Sequence, residues 1–202
     1  MIERLALDLV FLSTKLTCMN KTINKKQNLI WLDLEMTGLQ VETDHILEIA
    51  LIITDNDLNL LHEGPSLVIH QSDVILEHMD PWCIEQHAKS GLTKAVCAST
   101  ITVAQAEIQV LDIIKQFCNK NAGVLAGNTV WQDRIFLARY MPTITDYLHY
   151  RLIDVSAIKE LVNRWYPNDP HVKYQKQNTH RALEDIRESI AELAHYKQYF
   201  FK

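Results

Sequence analysis

Leu29-Ile30-Trp31-Leu32-Asp33-Leu34-Glu35-Met36-Thr37-Gly38-Leu39 is an apolar run that ends in two acids spaced two residues apart. The run reads as a buried strand. Side chains alternate faces along a strand, so Asp33 and Glu35 point the same way, about 7 Å apart. Two carboxylates leaving a core strand together are costly unless something offsets their charge. A divalent cation does so, and hard cations such as Mg²⁺ select oxygen ligands. The plainer alternative is that the acids only mark the strand end.

Around this strand the pattern predicts two more. Gly38 and the polar stretch to Asp44 make a turn before the β-branched run Ile46–Thr54. Asp55-Asn56-Asp57 is a turn signal, and a third strand fits Leu60–His70, bent at Gly64-Pro65. Short turns between consecutive strands favour an antiparallel meander. Beyond it Val103, Ala106, Val110, Ile113, Ile114 and Phe117 recur at helical spacing. Val124–Gly127 fits a short strand and Trp131–Tyr140 a helix stopped by Pro142. Arg151–Val155 fits a last strand, followed by a helix capped by Ser156 and running to Trp165. The final helix spans Ala182–Lys197. Strands first, then strands alternating with helices, predict an α/β fold: one mixed sheet with helices on its faces.

Three further residues join the acid pair. Asp133 opens the stripe of Phe136, Leu137 and Tyr140, on the inward side of its helix. The helix dipole alone would be served equally well by an acid on the exposed side. Asp185 lies beside the stripe of Leu183, Ile186, Ile190 and Leu193, where pairing with Arg181 one turn back is the structural alternative. His180 precedes Asp185 by five residues, about 140° around a regular helix. The two face one point only if His180 sits at the helix entrance, where Asn178-Thr179 offers a cap.

Four converging carboxylates raise one another's pKa. Two divalent cations would relieve that strain and suit in-line attack of water at phosphorus. A histidine with an ordinary pKa near 6.5 suits the proton-accepting role near neutral pH. The set therefore predicts phosphodiester hydrolysis with His180 as general base.

The chain has 202 residues, enough for one domain, with 48% apolar and 22% charged residues. A net charge of −5 argues against a long duplex as main partner, because counterion release needs many Lys and Arg. Cys18, Cys83, Cys97 and Cys118 show neither Cys-x-x-Cys nor zinc spacing and read as reduced thiols of a cytoplasmic protein. No apolar run approaches the roughly 20 residues that span a membrane. Glu3 and Asp8 interrupt the apolar start, and Thr17 is too bulky before Cys18 for a lipoprotein cleavage site. Residues 1–28 are read as an N-terminal extension, disordered or foreign to the native protein, with Met19 a candidate initiator. Residues 29–202 are read as the one folded domain.

From about residue 28 to residue 200 the chain resembles the DEDDh 3′-to-5′ exonucleases. The resemblance is carried by Trp-Leu-Asp-Leu-Glu-Met-Thr-Gly-Leu (31–39), His-Ile-Leu-Glu-Ile-Ala (45–50) and Ala-Gly-Asn-Thr-Val-Trp-Gln-Asp-Arg (126–134). It is carried equally by Tyr-Arg-Leu-Ile-Asp-Val-Ser (150–156) and His-Arg-Ala-Leu-Glu-Asp-Ile-Arg-Glu-Ser-Ile (180–190). It implies a ribonuclease-H-like, mixed five-stranded sheet and a homodimer. It implies two Mg²⁺ or Mn²⁺ ions on Asp33, Glu35, Asp133 and Asp185, and release of 5′-mononucleotides from very short single-stranded RNA, chiefly dinucleotides. By the same resemblance Leu39 is a wedge between the two bases, Trp82 an aromatic platform and His87 a substrate-pocket residue; Trp82 also fits ordinary core packing. Tyr150, Arg151 and Ser156 match a cap around the substrate's 5′-phosphate, with Tyr150 or its neighbours reaching in from the partner subunit. Thr129 stands where similar enzymes carry serine; its hydroxyl is kept, and its methyl stiffens the side chain.

Two alternatives compete. A longer-substrate exonuclease like ribonuclease T, or a proofreading domain, needs a basic track, and no strong basic patch is present. A non-catalytic dinucleotide-binding protein on the same fold would have no need of the whole acid set and His180.

Overall fold

The computed structural model describes residues 27–175 and 181–201. The readings of the N-terminal extension up to residue 26, of Asn178-Thr179 as a cap and of His180 as general base lie outside the described residues. Five strands form one sheet: β1 (Leu29–Met36), β2 (Ile46–Thr54), β3 (Leu60–Val68), β4 (Val124–Gly127) and β5 (Leu152–Asp154). Their order is β3-β2-β1-β4-β5. The first three pair antiparallel, while β4 pairs parallel with β1 and β5 parallel with β4. This is the mixed sheet expected from strands that first follow short turns and then alternate with helices.

The helices are α1 (Asp73–Glu77), α2 (Pro81–Lys89), α3 (Leu92–Ala98), α4 (Val103–Phe117), α5 (Val130–Tyr140), α6 (Pro142–Tyr147), α7 (Val155–Trp165) and α8 (Ala182–Phe200). Two large cores flank the sheet, and a smaller third packs Leu47 of β2 with Met79, Leu92 and Val96. Ile30, Leu32 and Leu34 of β1 pack with Ile49, Leu51 and Ile53 of β2 against Val110 and Ile114 of α4 and Phe136 and Leu137 of α5. The alternate residues Leu29 and Trp31, with Ala50 and Ile52, pack against Val155 and Val162 of α7 and Ile186 and Tyr196 of α8. By the same alternation Asp33 and Glu35 face the α8 side.

Several local expectations are corrected. The third strand ends at Val68, and its bend is a register shift between Ala50 and Ile52 that accommodates Gly64-Pro65. The last strand is confined to Leu152–Asp154 because Val155 already begins α7. Its cap is Asp154, whose carboxylate accepts from the Ser156 backbone N–H at 2.9 Å, and not Ser156. That leaves the Ser156 hydroxyl for other partners. Arg181 occupies the N-cap of α8 without a side-chain cap bond, and the helix runs to Phe200. Periodicity did not show α1–α3, which are five, nine and seven residues long. A usable signal was present at α2: Asp80 caps the Trp82 N–H at 2.9 Å and Pro81 occupies the first turn.

Candidate active site

The parallel pairing of β1 with β4 ends at Trp31–Ala126, so the second half of β1 runs on past its neighbour. Asp33 and Glu35 lie on that overhang, across from Ala50 and Glu48 of β2. Asp185, in the first turn of α8, descends on the same face. Carboxylate oxygens of Asp33, Glu35 and Asp185 come within 4.8 Å of one another. Asp133 is buried at the start of α5, and its Oδ1 accepts the Leu34 backbone N–H at 3.0 Å. An amide that would otherwise look for a strand partner thus fixes this carboxylate beside the overhang.

The electrostatics match the crowding. Burial pushes Asp33 well above the usual carboxylate range, and Asp133, Glu35 and Asp185 add to the push. Burial also raises Glu35, to about 8, with Asp185, Glu48 and Asp133 contributing while Arg181 opposes. Asp133 is raised to about 7 by burial, against the pull of the Leu34 N–H. Acids that resist ionisation because they are buried together fit a hard divalent cation, which would supply the missing positive charge through oxygen ligands.

Glu48 is a different case. It is wholly buried near the start of β2, directly opposite Glu35. Burial would raise it, but bonds from Arg181 and Ser66 bring it below the ordinary range. Arg181 grips it with two donors, Nε to Oε2 at 3.1 Å and Nη2 to Oε1 at 2.8 Å. Arg181 therefore pairs with Glu48 rather than Asp185, and this fork ties the N-terminus of α8 to the sheet beside the acids.

On the substrate side, Leu39 is 70% and Trp82 57% exposed, and both line one pocket of about 390 Å³ together with Gln40, Asp44 and Cys83. Trp82 is thus no core residue. Gly38 is required at the pocket's edge, since a Cβ there would stand 2.5 Å from the Asp44 carboxylate. That carboxylate accepts from Thr37 Oγ1 and the Gln40 N–H at 2.8 Å each, and Gln132 Nε2 donates to the Leu39 carbonyl at 2.9 Å. His87 is buried under the strand end; its Nε2 stands 2.9 Å from the Met36 carbonyl and its Nδ1 3.8 Å from Glu35 Oε2. A carbonyl only accepts, so Nε2 carries a proton and Nδ1 faces Glu35.

Thr129 and Ser156 meet, with their hydroxyl oxygens 3.1 Å apart. The Thr129 N–H donates to Asp154 Oδ1 at 3.0 Å and Ser156 Oγ at 3.1 Å. Thr129 has φ +53°, a left-handed conformation that is unusual for a β-branched residue. Tyr150 is 71% exposed, stacks on His149 at 4.6 Å and carries the Arg151 guanidinium 5.4 Å from its ring centre. Arg151 and Ser156 stand at opposite ends of β5, and no hydrogen bond joins them.

A family model described as Exonuclease matches residues 30–193. The chain is 53% identical over 176 residues to the oligoribonuclease of Mannheimia succiniciproducens, covering 87% of this chain and 94% of that protein. It belongs to the oligoribonuclease branch of the exonuclease family. A human relative, the mitochondrial oligoribonuclease, is 52% identical over 176 residues, covering 87% of this chain and 74% of that protein. Among solved structures, E. coli exonuclease I in complex with an oligonucleotide superposes with a TM-score of 0.66 at 15% identity over 87% of this chain. The zinc-bound exonuclease I–single-stranded DNA complex gives 0.67, also at 15% identity. Those likenesses concern the fold, and this chain spans 41% of the exonuclease I length.

Two residues packed beside the acids escaped the sequence reading: Glu48 and Arg181. Glu48 announces itself as the one charged residue within the apolar run Ile46–Thr54. Arg181, by spacing alone, is a partner for Asp185 one turn on.

Proposed function

We propose that this protein is a 3′-to-5′ exoribonuclease that hydrolyses very short RNA, chiefly dinucleotides, to 5′-mononucleotides. The observation that carries the reading is the convergence of Asp33, Glu35 and Asp185 within 4.8 Å, with Asp133 anchored beside them. In this reading the four acids hold two divalent cations, Mg²⁺ or Mn²⁺, which when bound supply Lewis-acid polarisation at the scissile phosphate and offset the acids' repulsion.

The chain's own residues do the rest. The Leu34 N–H aims Asp133, and the Glu48–Arg181 fork holds the helix that carries Asp185. His180 is joined to Arg181 by one peptide bond and is assigned the general base, accepting the proton of the attacking water. The P–O3′ bond breaks, leaving a 3′-hydroxyl on the shortened chain and a 5′-phosphate on the released nucleotide. Leu39 and Trp82 receive the bases in their shared pocket, where stacking contributes about 1–3 kcal/mol per base. His87, held by the Met36 carbonyl, is assigned to the substrate pocket, with its Nδ1 3.8 Å from Glu35. Thr129, Tyr150, Arg151 and Ser156 cap the 5′-phosphate, which limits substrate length by geometry and requires no basic groove.

The domain is assigned to residues 29–202, and the protein to a homodimer in which the exposed Tyr150 reaches toward the partner subunit. A cytoplasmic location is favoured by the free thiols Cys83 and Cys97. Among the described residues no single helix is long and apolar enough to cross a membrane. The decisive assay is digestion, with Mn²⁺, of a 5′-labelled RNA ladder from two to seven nucleotides. The dinucleotide is expected to disappear fastest. Equal rates at all lengths would remove the length claim, and binding without cleavage would leave only a dinucleotide-binding protein.

A further inference from the structure

The turn that carries Leu39 is splinted along one helix. Leu39 follows the end of β1, and its side chain is 70% exposed, so little packing holds it in place. Its position is therefore set by the backbone. Inside the turn the Asp44 carboxylate accepts from Thr37 Oγ1 and the Gln40 N–H, and the Thr43 and Asp44 N–H groups donate to the Gln40 carbonyl at 3.0 and 2.7 Å. From outside, two side chains of α5 reach the turn. At the end of the helix the Tyr140 hydroxyl lies 2.6 Å from the Asp44 carbonyl and 3.3 Å from that of Val41. At its start Gln132 Nε2 donates to the Leu39 carbonyl at 2.9 Å.

The two anchors stand about 12 Å apart along α5, and they hold different things. Tyr140 holds the far end of the turn, where the Asp44 carboxylate already closes it. Gln132 holds the residue that lines the pocket. A carbonyl only accepts, so the half-buried Gln132 amide presents its NH₂ group to Leu39. The Gln132 backbone N–H donates to the Thr129 carbonyl at 2.9 Å. The next residue in the chain is Asp133, whose Oδ1 takes the Leu34 N–H. One residue thus grips the Leu39 backbone on one side and adjoins the acids on the other.

We propose that Gln132 is a positioning residue that sets the register of the dinucleotide: it ties the Leu39 backbone to the helix carrying Asp133, so that the gap between the two bases stays in line with the acids. This rests on the function proposed above, in which Leu39 receives the bases as a wedge, and adds to it the residue that holds the wedge. A dinucleotide has a single phosphodiester, and misplacing it by about 1 Å costs much of the rate. Without the Gln132 bond the bases would still stack in the pocket, but the phosphate would no longer be held over Asp33, Glu35 and Asp185. The loss therefore falls on kcat more than on KM.

The test compares a dinucleotide with an analogue whose 5′ residue is abasic, at saturating Mn²⁺. The analogue keeps both sugars and the phosphodiester but offers the wedge no second base to separate. Gln132→Met, which keeps the side-chain length and removes the donor, is expected to lower kcat/KM for the dinucleotide about fivefold, chiefly through kcat, and to change the analogue less than about twofold. Gln132→Ala is the second variant and is expected to behave alike. Dinucleotide affinity, measured by calorimetry with Ca²⁺ in place of Mn²⁺, is expected to change less than about twofold. In a Leu39→Ala background Gln132→Met is expected to add no further loss, since the bond then has no wedge to hold. The Mn²⁺ concentration for half-maximal rate is expected to stay as it is. Equal losses on both substrates, an undiminished rate on the dinucleotide, additive losses with Leu39→Ala, a loss wholly in affinity, or a raised Mn²⁺ requirement, which would point to Asp133 instead, would overturn the proposal. Leu39→Ala alone separates the two levels. If it leaves the preference for the intact dinucleotide unchanged, the wedge reading falls and the proposal with it. If it removes that preference while both Gln132 variants keep it, only the role of Gln132 falls.

Discussion

Strand β1 shows two different faces to its surroundings. Toward α4 and α5 it presents Ile30, Leu32 and Leu34, every one buried among aliphatic and aromatic neighbours. Toward α7 and α8 it presents Leu29 and Trp31, and then the same row continues as Asp33 and Glu35. Helix α8 repeats the change: Ile186 and Tyr196 pack on the sheet, while Asp185, Ser189 and Glu192 share that side as polar groups. One face thus serves stability, with apolar burial contributing about 25 cal/mol per Å². The other gives up part of that gain to hold charges close together. Its polar groups divide again into those matched by an opposite charge, such as Glu48 under Arg181, and the acids that crowd one another, Asp33, Glu35 and Asp185.

If the faces divide in this way, substitutions on each should give opposite profiles. The largest expected effect is Asp133→Asn, which keeps the oxygen that accepts the Leu34 N–H but removes the charge. Turnover should fall by at least about 10³-fold, with circular dichroism nearly unchanged. Loss of folding instead would make Asp133 structural. On the opposite face Leu32→Ala, at 1% exposure, should cost about 2–5 kcal/mol by denaturant titration. The folded fraction should keep its kcat; a specific activity that fell with the acids' profile would contradict the division.

Between these stands the Glu48–Arg181 fork. Arg181→Met leaves a buried carboxylate without its cation, but the Arg181 side chain is itself 38% exposed. The expected cost is about 2 kcal/mol, below that of breaking a fully buried pair. Because the fork also holds the first turn of α8, which carries Asp185, beside Asp33 and Glu35, the variant should need more Mn²⁺ for half-maximal rate. An unchanged requirement would confine the fork to folding.

The smallest effect is on pH. Without metal, Glu35 titrates near 8 and Asp133 near 7 in the folded chain, against 4.5 and 3.8 for the ordinary groups. Between those limits the folded state binds more protons than the unfolded one, so stability is lost as pH rises. The metal-free melting temperature should therefore decline from about pH 5 to pH 8, and the gain on adding Mn²⁺ should grow over the same range. A flat gain would mean that the acids and the ion do not compete with protons.

Much of this division was legible along the chain. Period-two alternation put Asp33 and Glu35 on one side of a strand, and helical spacing put Asp133 on the inward side of α5 and Asp185 beside the stripe of α8. What was not legible were the residues whose importance depends on a distant partner. Ser156 stood where a cap was expected, yet Asp154 takes that role, and the freed hydroxyl turns to Asn128. Arg181 looked like a partner for the acid one turn on, yet its fork closes on a strand more than a hundred residues away in sequence. The short helices α1–α3 lacked enough turns for periodicity to show.

The amino-acid sequence by itself determined the strand and helix faces, the order of the sheet's antiparallel half and the acids that qualify as ligands. Each of these follows from side-chain spacing within one element. Only the tertiary structure decided that Asp185 lands within 4.8 Å of the pair on β1, and that Asn128 joins the turn after β4 to the last helix. Spacing tells which way a side chain points. What it meets there depends on how far each element slides along its neighbour, and close packing of two cores settles that offset.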